Sequence, residues 1–401
     1  MTNIFNKKNL SEVFLLLPFA FSFALMIWFE GASKVLVITT VISLLSFGIS
    51  FRKRLKSTLI DNLRQPFHIL IWVFTLFIFV QSFLHGVSSR EIRTLLCLSV
   101  IALYFPFRAI KPIYYQIIIV FGCITIFANS VYFCLIVGTS RWAGVINPIP
   151  YASIAGLLAL LSIHAALSTK NTKTKLLFGG FSILPVISLA LTESRGVWLA
   201  FACALLVLFL NKFRFTFKKF ILLLLLSSVA SMLSGSFIKQ RIEQTRYEFE
   251  QIQEGNMNTS IGLRLQMWQA AVKLAEGNWL LGLGNEHFEK LELLYKQRKI
   301  SKTLYDYHPP HYHNQFIDSV VKSGLIGLAF LLLLLILPLY LVRHTIKNTK
   351  NIVTAVVALY VVMGLTDAPF YNGQTFVLYV LTMLVLLNSA SQLTDGSPDV
   401  A

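Results

Sequence analysis

The chain has 401 residues, of which 56% are hydrophobic and only 13% are charged, a composition that indicates lipid as its surroundings. The net charge of +17 would suit a nucleic-acid partner, but most basic residues lie in short connectors between apolar runs, where they set membrane topology. We therefore exclude a soluble globular protein and expect no nucleic acid among the partners.

Twelve apolar runs, most of them close to the roughly 20 residues that span a bilayer, follow one another along the chain. They predict an all-α polytopic membrane protein with about 12 transmembrane helices. The run that follows Lys7 and Lys8 has no small-residue cleavage site after it, so we expect it to remain as a membrane anchor. The predicted spans are 13–29, 33–51, 67–84, 94–107, 113–137, 151–168, 175–191, 197–210, 220–234, 318–342, 352–370 and 373–388.

The spans divide the chain into four predicted segments. These are nine spans in 1–234, one large polar loop in 235–317 between the ninth and tenth spans, three spans in 318–388, and a disordered tail in 389–401. Nineteen Lys and Arg lie in one set of connectors, whereas the alternate short connectors hold five. The positive-inside rule places the richer set, both termini and the tail in the cytoplasm, and the large loop outside.

The large loop is predicted to be folded and helical. Apolar residues at helical spacing predict one helix that ends at Gly255-Asn256, a second that ends at Gly277-Asn278, and a third over 286–299. Pro309-Pro310 forces an extended break before the chain re-enters the membrane. The apolar stripe of the second helix is Leu265, Trp268, Val272, Ala275 and Trp279.

The few cations on the outer side are candidates for binding an anionic substrate. Arg195, in Thr192-Glu-Ser-Arg-Gly196, stands between two apolar runs, and Arg141 holds a similar place. A snorkelling interfacial arginine is the alternative interpretation of both. Arg264 opens the second loop helix and on its own would be an ordinary surface arginine.

Four of the eight histidines lie in the loop, and His313 is the candidate for acid–base chemistry. It stands where the chain re-enters the membrane, and a neutral imidazole near pH 7 can take the proton of a sugar hydroxyl. His287 is expected on a solvated helix face. His308 and His311 flank the double proline and are expected to fix that turn.

His311 and His313 form a His-x-His pair that can bind a metal, but no carboxylate stands beside them at a typical ligand spacing. We therefore predict neither a metal nor a cofactor. His164 and Asp367, in or beside spans, are polar groups that need partners and are weak functional candidates.

Several short motifs follow one another along the chain on the side predicted to lie outside. They are Thr-x-Ser-Arg at 192–195, Gly-x-Arg at 262–264 followed by Trp268, Gly-Leu-Gly at 282–284, His-Asn-x-Phe at 313–316 and Ser-Gly-Leu-Ile-Gly at 323–327. In their order and their common side, these motifs resemble those of the bacterial O-antigen ligase family. The resemblance covers nearly the whole chain and includes the twelve spans and the single large loop after the ninth. The related O-antigen polymerases share some of the motifs.

This resemblance implies a glycosyltransferase at the periplasmic face of the bacterial inner membrane. It would join O-antigen polysaccharide, carried on undecaprenyl pyrophosphate, to the lipid A–core acceptor, with inversion and without a metal. His313 would be the general base, and Arg195, Arg264 and Arg141 would bind the pyrophosphate. The supporting residues are Asn314, Trp268 and His311.

Other functions compete with this interpretation. An O-antigen polymerase would use the same chemistry with the growing chain as acceptor, but one large loop in about 400 residues favours the ligase. A polysaccharide or lipid transporter would suit twelve spans, but it would place ionisable residues at mid-membrane, and here the spans are nearly free of charge. A structural subunit would leave His313 and the outer arginines unexplained.

Overall fold

The computed structural model describes residues 13–139, 144–212 and 235–394. The predicted ninth span at 220–234 and the candidate Arg141 lie outside these ranges. Within the described ranges the regular secondary structure is helical, and the all-α prediction is confirmed.

The helices before the large loop are α1 (Leu17–Ala20, continued by a π-helical segment, Phe21–Leu25, and a 3-10 turn, Met26–Trp28), α2 (Ala32–Ser50), α3 (Leu55–Leu63), α4 (Pro66–Leu84), α5 (Ser89–Tyr104), α6 (Pro112–Val131, continued by a π-helical segment, Tyr132–Ile136), α7 (Pro148–Ser168), α8 (Thr172–Leu191) and α9 (Arg195–Lys212). The loop contains α10 (Gly235–Gln253), α11 (Ser260–Ala275), α12 (His287–Lys296) and α13 (Lys302–Tyr307). After it come α14 (Gln315–Leu341), α15 (Lys347–Thr366) and α16 (Gly373–Thr394).

Eight of these helices are long and apolar enough to cross a membrane, namely α2, α4, α6 with its continuation, α7, α8, α14, α15 and α16. Two shorter apolar helices, Leu17–Trp28 and Arg195–Leu210, add to them. Each predicted span within the described residues coincides with one of these ten helices or with α5. The chain is therefore a multi-pass membrane protein. The last helix continues to Thr394, so it includes the first residues of the predicted tail.

Helix α7 lies at the centre of the bundle. It contacts α6, α8, α9, α15 and α16, and Ala152, Ala155 and Ala159 are fully buried along it. Small side chains let neighbouring backbones approach closely, and close packing is what holds helices together in lipid.

Helix α14 is interrupted at Gly324, where φ is 65° and ψ is −164°. A turn of the large loop fills the break. The Leu325 amide donates to the Trp279 carbonyl at 2.7 Å, and the Leu283 amide donates to the Val321 carbonyl at 2.8 Å. The backbone groups that the break frees are thus satisfied within the protein, which lipid surroundings require.

The large loop has a small core of its own, and we call residues 235–317 the loop domain. The three predicted loop helices are present as α10, α11 and α12. Helix α11 buries Met267, Ala270, Ala271 and Leu274. The predicted apolar stripe put Val272 on the buried face of α11, but this residue is 57% exposed. The buried face contains Ala270 and Ala271 instead, because these small side chains let α11 pack closely on α14.

The connectors predicted to lie outside gather with the loop domain at one end of the bundle, which we call the loop end. The Asn285 amide donates to the carbonyls of His85 and Gly86, between α4 and α5. Arg195, at the start of α9, donates to Thr245 in α10 at 3.0 Å. The connectors that the charge alternation predicts on the outer side are therefore in contact with one another at the loop end.

Candidate active site

His313 and Asp367 form a close pair at the loop end. Nδ1 of His313 lies 2.9 Å from Oδ1 of Asp367, although 54 residues separate them in the chain. Asp367 is the C-cap residue of α15 and is 8% exposed. A carboxylate at Nδ1 holds the ring proton there and leaves Nε2 as a proton acceptor.

Nε2 of His313 lies within reach of a hydroxyl group. The Tyr307 hydroxyl is 3.4 Å away, and it donates to Nε2 because Nδ1–H is directed to Asp367. Tyr307 is 45% exposed, so a substrate hydroxyl can take its place. This is the geometry that a general base requires.

The surroundings of Asp367 keep its carboxyl group ionised. Burial raises the pKa of Asp367, but the hydrogen bond from His313 and the charges of His311, His313 and Arg264 outweigh burial and hold this pKa below its usual value. Burial also lowers the pKa of His311, although the charge of Asp367 opposes that shift. An ionised Asp367 stabilises the imidazolium that forms when His313 accepts a proton.

Tyr312, between the two site histidines, is fully buried and fixed by three hydrogen bonds. Its amide donates to Asp318 Oδ1 at 3.2 Å, and its carbonyl accepts from Trp268 Nε1 at 2.9 Å. Its hydroxyl lies 3.0 Å from His287 Nδ1. These bonds hold the backbone on which both flanking histidines stand, and Trp268 thereby has a positioning role.

His287 is buried, so the expectation of a solvated helix face was wrong. It is 1% exposed, and burial together with the charge of Lys322 lowers its pKa to about 3. The physical reason is the Tyr312 hydroxyl, since a buried hydroxyl needs a hydrogen-bonding partner. A neutral His287 provides that partner.

Asn314 is the N-cap of α14. Its side-chain oxygen accepts from the amides of Phe316 and Ile317 at 3.0 and 3.1 Å. The preceding His313 has a φ of 46°, a left-handed conformation that is rare for a residue other than glycine and often stands at functional sites. The cap fixes the start of α14 immediately after His313 and so helps to hold that conformation.

Arg195 is placed at the loop end by a close contact between two helices. A Cβ on Gly196 would lie 2.4 Å from Thr366 Oγ1, so glycine is needed where α9 meets α15. Arg195 precedes Gly196, and Asp367 follows Thr366. The contact therefore brings the arginine and the carboxylate to the same corner of the loop end. Arg195 itself is exposed and donates to the Thr245 hydroxyl.

Arg264 stands in the first turn of α11. The Thr259 hydroxyl caps this helix by accepting from the Gly262 amide at 3.1 Å. A Cβ on Gly262 would lie 2.6 Å from the Met257 carbonyl oxygen, which explains the glycine two residues before the arginine. Arg264 acts electrostatically on Asp367. Among the residues that the structure describes, its guanidinium makes no hydrogen bond or ion pair, so it is free to bind a substrate.

Three of the site residues can also hold a metal ion. Donor atoms of His311, His313 and Asp367 lie within 4.8 Å of one another, and His311 Nε2 is 3.7 Å from Asp367 Oδ1. The carboxylate that was missing next to the histidine pair in the sequence is thus provided by a distant residue. Two histidines and a carboxylate are a common donor set for zinc. Metal independence remains a prediction.

The comparisons with known proteins agree with the motifs. A family model described as O-antigen ligase matches residues 180–332. This match supports membership of the O-antigen ligase family. The match contains Arg195, Arg264 and His313 and ends before Asp367. An uncharacterized protein of Haemophilus influenzae is 27% identical over 392 residues, which cover 92% of this chain and 94% of that protein.

Asp367, which the sequence predicts only as a weak candidate, is part of the candidate site. The available signal was an acidic residue at the end of a span on the same side as His313. The other weak candidate, His164, lies in α7, where Nε2 of its ring is 3.2 Å from the Ser168 hydroxyl one turn further along the helix. Arg141 lies outside the described residues, so its role remains a prediction.

Proposed function

We propose that this protein transfers polysaccharide from undecaprenyl pyrophosphate to the lipid A–core acceptor at the periplasmic face of the bacterial inner membrane. The observation that carries this proposal is the His313–Asp367 pair, on which Arg264 acts electrostatically, with Arg195 at the same end of the bundle. Transfer from a sugar pyrophosphate needs a base for the attacking hydroxyl and positive charge for the leaving group. Membership of the O-antigen ligase family supports the same chemistry.

In the proposed reaction, Nε2 of His313 accepts the proton of the acceptor hydroxyl. The hydroxyl oxygen attacks the anomeric carbon of the donor sugar and forms the new glycosidic bond. The bond from that carbon to the pyrophosphate oxygen breaks, and its electron pair leaves with undecaprenyl pyrophosphate. Asp367 keeps the imidazole oriented and balances the charge that His313 acquires.

The leaving pyrophosphate is bound by guanidinium groups. Arg264 has no hydrogen-bonding partner in the described residues, and the bond of Arg195 to the Thr245 hydroxyl is one that a phosphate oxygen can replace. Each guanidinium can form two parallel hydrogen bonds with a phosphate. Arg141 is the proposed third contributor.

A deletion strain tests the proposal directly through the banding pattern of its lipopolysaccharide. Loss of a ligase leaves lipid A–core without polysaccharide, while polymer accumulates on the lipid carrier. Loss of a polymerase instead leaves core that carries one repeat unit. Complementation with the His313→Ala variant should fail, whereas His344→Ala, which changes a histidine after α14, should restore the pattern. Normal banding in the deletion strain would reject the proposal.

A further inference from the structure

Two adjoining cavities lie at the loop end, close to the histidines. Their accessible interior space is about 100 and 120 Å³, and both cavities open to the surface. Ser88, Glu91 and Tyr371 line both cavities, whereas Arg195 and Arg264 line neither.

Gln81 lines the first of these cavities and has an unpartnered amide oxygen. Its side chain is 2% exposed, and Nε2 donates to the backbone carbonyls of Leu281 and Lys322. Within the described residues, Oε1 of Gln81 has no hydrogen-bonding partner. A buried acceptor without a donor is costly, and a hydroxyl of a bound ligand would satisfy it.

The charged residues of the first cavity leave one carboxyl group without a counterion. Nζ of Lys322 lies 3.0 Å from Asp318 Oδ1 and 2.6 Å from the Pro310 carbonyl, so this ammonium group is already paired. In the described part of the chain Glu91 forms no ion pair, and burial raises the pKa of Glu91 to about 7 although the charge of Lys322 opposes that shift. A carboxyl group and an amide oxygen accept hydrogen bonds from hydroxyl or amino groups.

Tyr371 stands between the cavities and the site histidines. Its ring centroid lies 5.4 Å from that of His311, and Nζ of Lys322 lies 3.8 Å from its centroid on the ring face. Phe74 and Leu331 provide apolar lining in the first cavity. An aromatic and apolar surface with a few polar acceptors suits a ligand that has an apolar ring face and a rim of hydroxyls.

We propose that these cavities bind a saccharide unit of the acceptor, next to the sugar whose hydroxyl reaches His313. This inference rests on the proposed function. The pyrophosphate of the donor belongs with the arginines, and in an inverting displacement the nucleophile enters on the face opposite the leaving group. The acceptor therefore approaches from the side of Tyr371, where the lining accepts hydrogen bonds from hydroxyl groups and contains neither Arg195 nor Arg264.

Binding without donor tests the inference apart from catalysis. The full-length protein in detergent is titrated calorimetrically with the delipidated core oligosaccharide of lipopolysaccharide that lacks O-antigen. Glu91→Gln and Tyr371→Ala should each weaken binding about 10-fold, whereas Tyr371→Phe should bind like the wild type. Glu289→Gln is the matched control, because it removes an exposed carboxylate that lines neither cavity.

Transfer assays then decide which substrate the cavities serve. With saturating donor, Glu91→Gln and Tyr371→Ala should raise KM for the acceptor about 10-fold and leave KM for the donor unchanged. No oligosaccharide binding by the wild type, equal binding by Glu91→Gln, or a raised KM for the donor would overturn the inference. Binding that depends on Glu91 in a protein that transfers nothing would reject the proposed function and retain the saccharide site.

Discussion

Gly282 and Gly324 meet through bare backbone, because neither position has room for a side chain. A Cβ on Gly282 would lie 2.5 Å from the Gly324 amide nitrogen, and a Cβ on Gly324 would lie 2.2 Å from the Leu280 carbonyl oxygen. Both glycines have positive φ, 72° and 65°, which other residues adopt with strain. This contact joins the loop domain to the break in α14, nine residues after the first residue of that helix.

We expect Gly324→Ala to lower the free energy of unfolding by about 3 kcal/mol, because the new methyl group strains the backbone and displaces the docked turn. Thermal unfolding in detergent and limited proteolysis of the loop domain measure the effect. Gly180→Ala is the control, since a Cβ there meets nothing within 4 Å. Equal stability of the two variants would show that the contact is not required.

His313→Ala is expected to abolish transfer while the protein stays folded and binds the lipid-linked donor. Asp367→Asn should reduce turnover about 10²–10⁴-fold, because an amide cannot stabilise the imidazolium. His311→Ala should retain substantial activity. Donor binding and turnover are measured side by side for the three variants. Normal turnover by His313→Ala, or failure caused only by lost donor binding, would contradict the assigned base.

Arg195→Lys and Arg264→Lys should remain badly impaired although the charge is kept, because an ammonium group cannot form the paired hydrogen bonds of a guanidinium. We expect weaker donor binding together with lower turnover. Arg246→Lys is the control, since Arg246 is exposed and pairs with Glu250 one turn along α10 at 2.9 Å. Donor binding that is equal in all three variants would remove the arginines from the pyrophosphate site.

Purified protein should retain full activity in the presence of a chelator, because guanidinium groups provide the positive charge that a metal would otherwise supply. Activity before and after EDTA treatment is the measurement. Activity that disappears with chelator and returns with a divalent ion would instead identify His311, His313 and Asp367 as ligands, the set whose donor atoms lie within 4.8 Å of one another.

The stability of the loop domain should fall as pH drops below about 6.5. The pKa of His287 is lowered from 6.5 to about 3 in the folded protein, so the unfolded chain binds the additional proton between these values. The free energy of unfolding therefore has its full value above pH 6.5 and decreases as the pH falls towards 3. The decrease amounts to about 2 kcal/mol at pH 5. Melting temperatures between pH 5 and 8 should show this slope in the wild type and in His344→Gln. A slope of the same size in His287→Gln would assign it to another group.

The helical membrane architecture follows from features that are local in the chain. A run of about 20 apolar residues forms a spanning helix whatever its neighbours are, because lipid leaves the backbone no other partner than itself. Prolines in the first turn of α4, α6 and α7 mark helix starts in the same local way. The order of the short motifs was sufficient to indicate the family. His313 and Arg264 were candidates from their residue types and positions, and the family resemblance implied their roles.

Contacts between distant segments cannot be predicted from local sequence in this way, because they depend on how the helices pack. Nothing near His313 in the chain indicates that the carboxylate at its Nδ1 is Asp367. The burial of His287 follows from the position of the Tyr312 hydroxyl. The exposure of Val272 follows from the alanine face by which α11 approaches α14. In each case the need to pair a buried polar group, or the close approach of two backbones, determines which residues are in contact. These requirements arise only when the chain is folded.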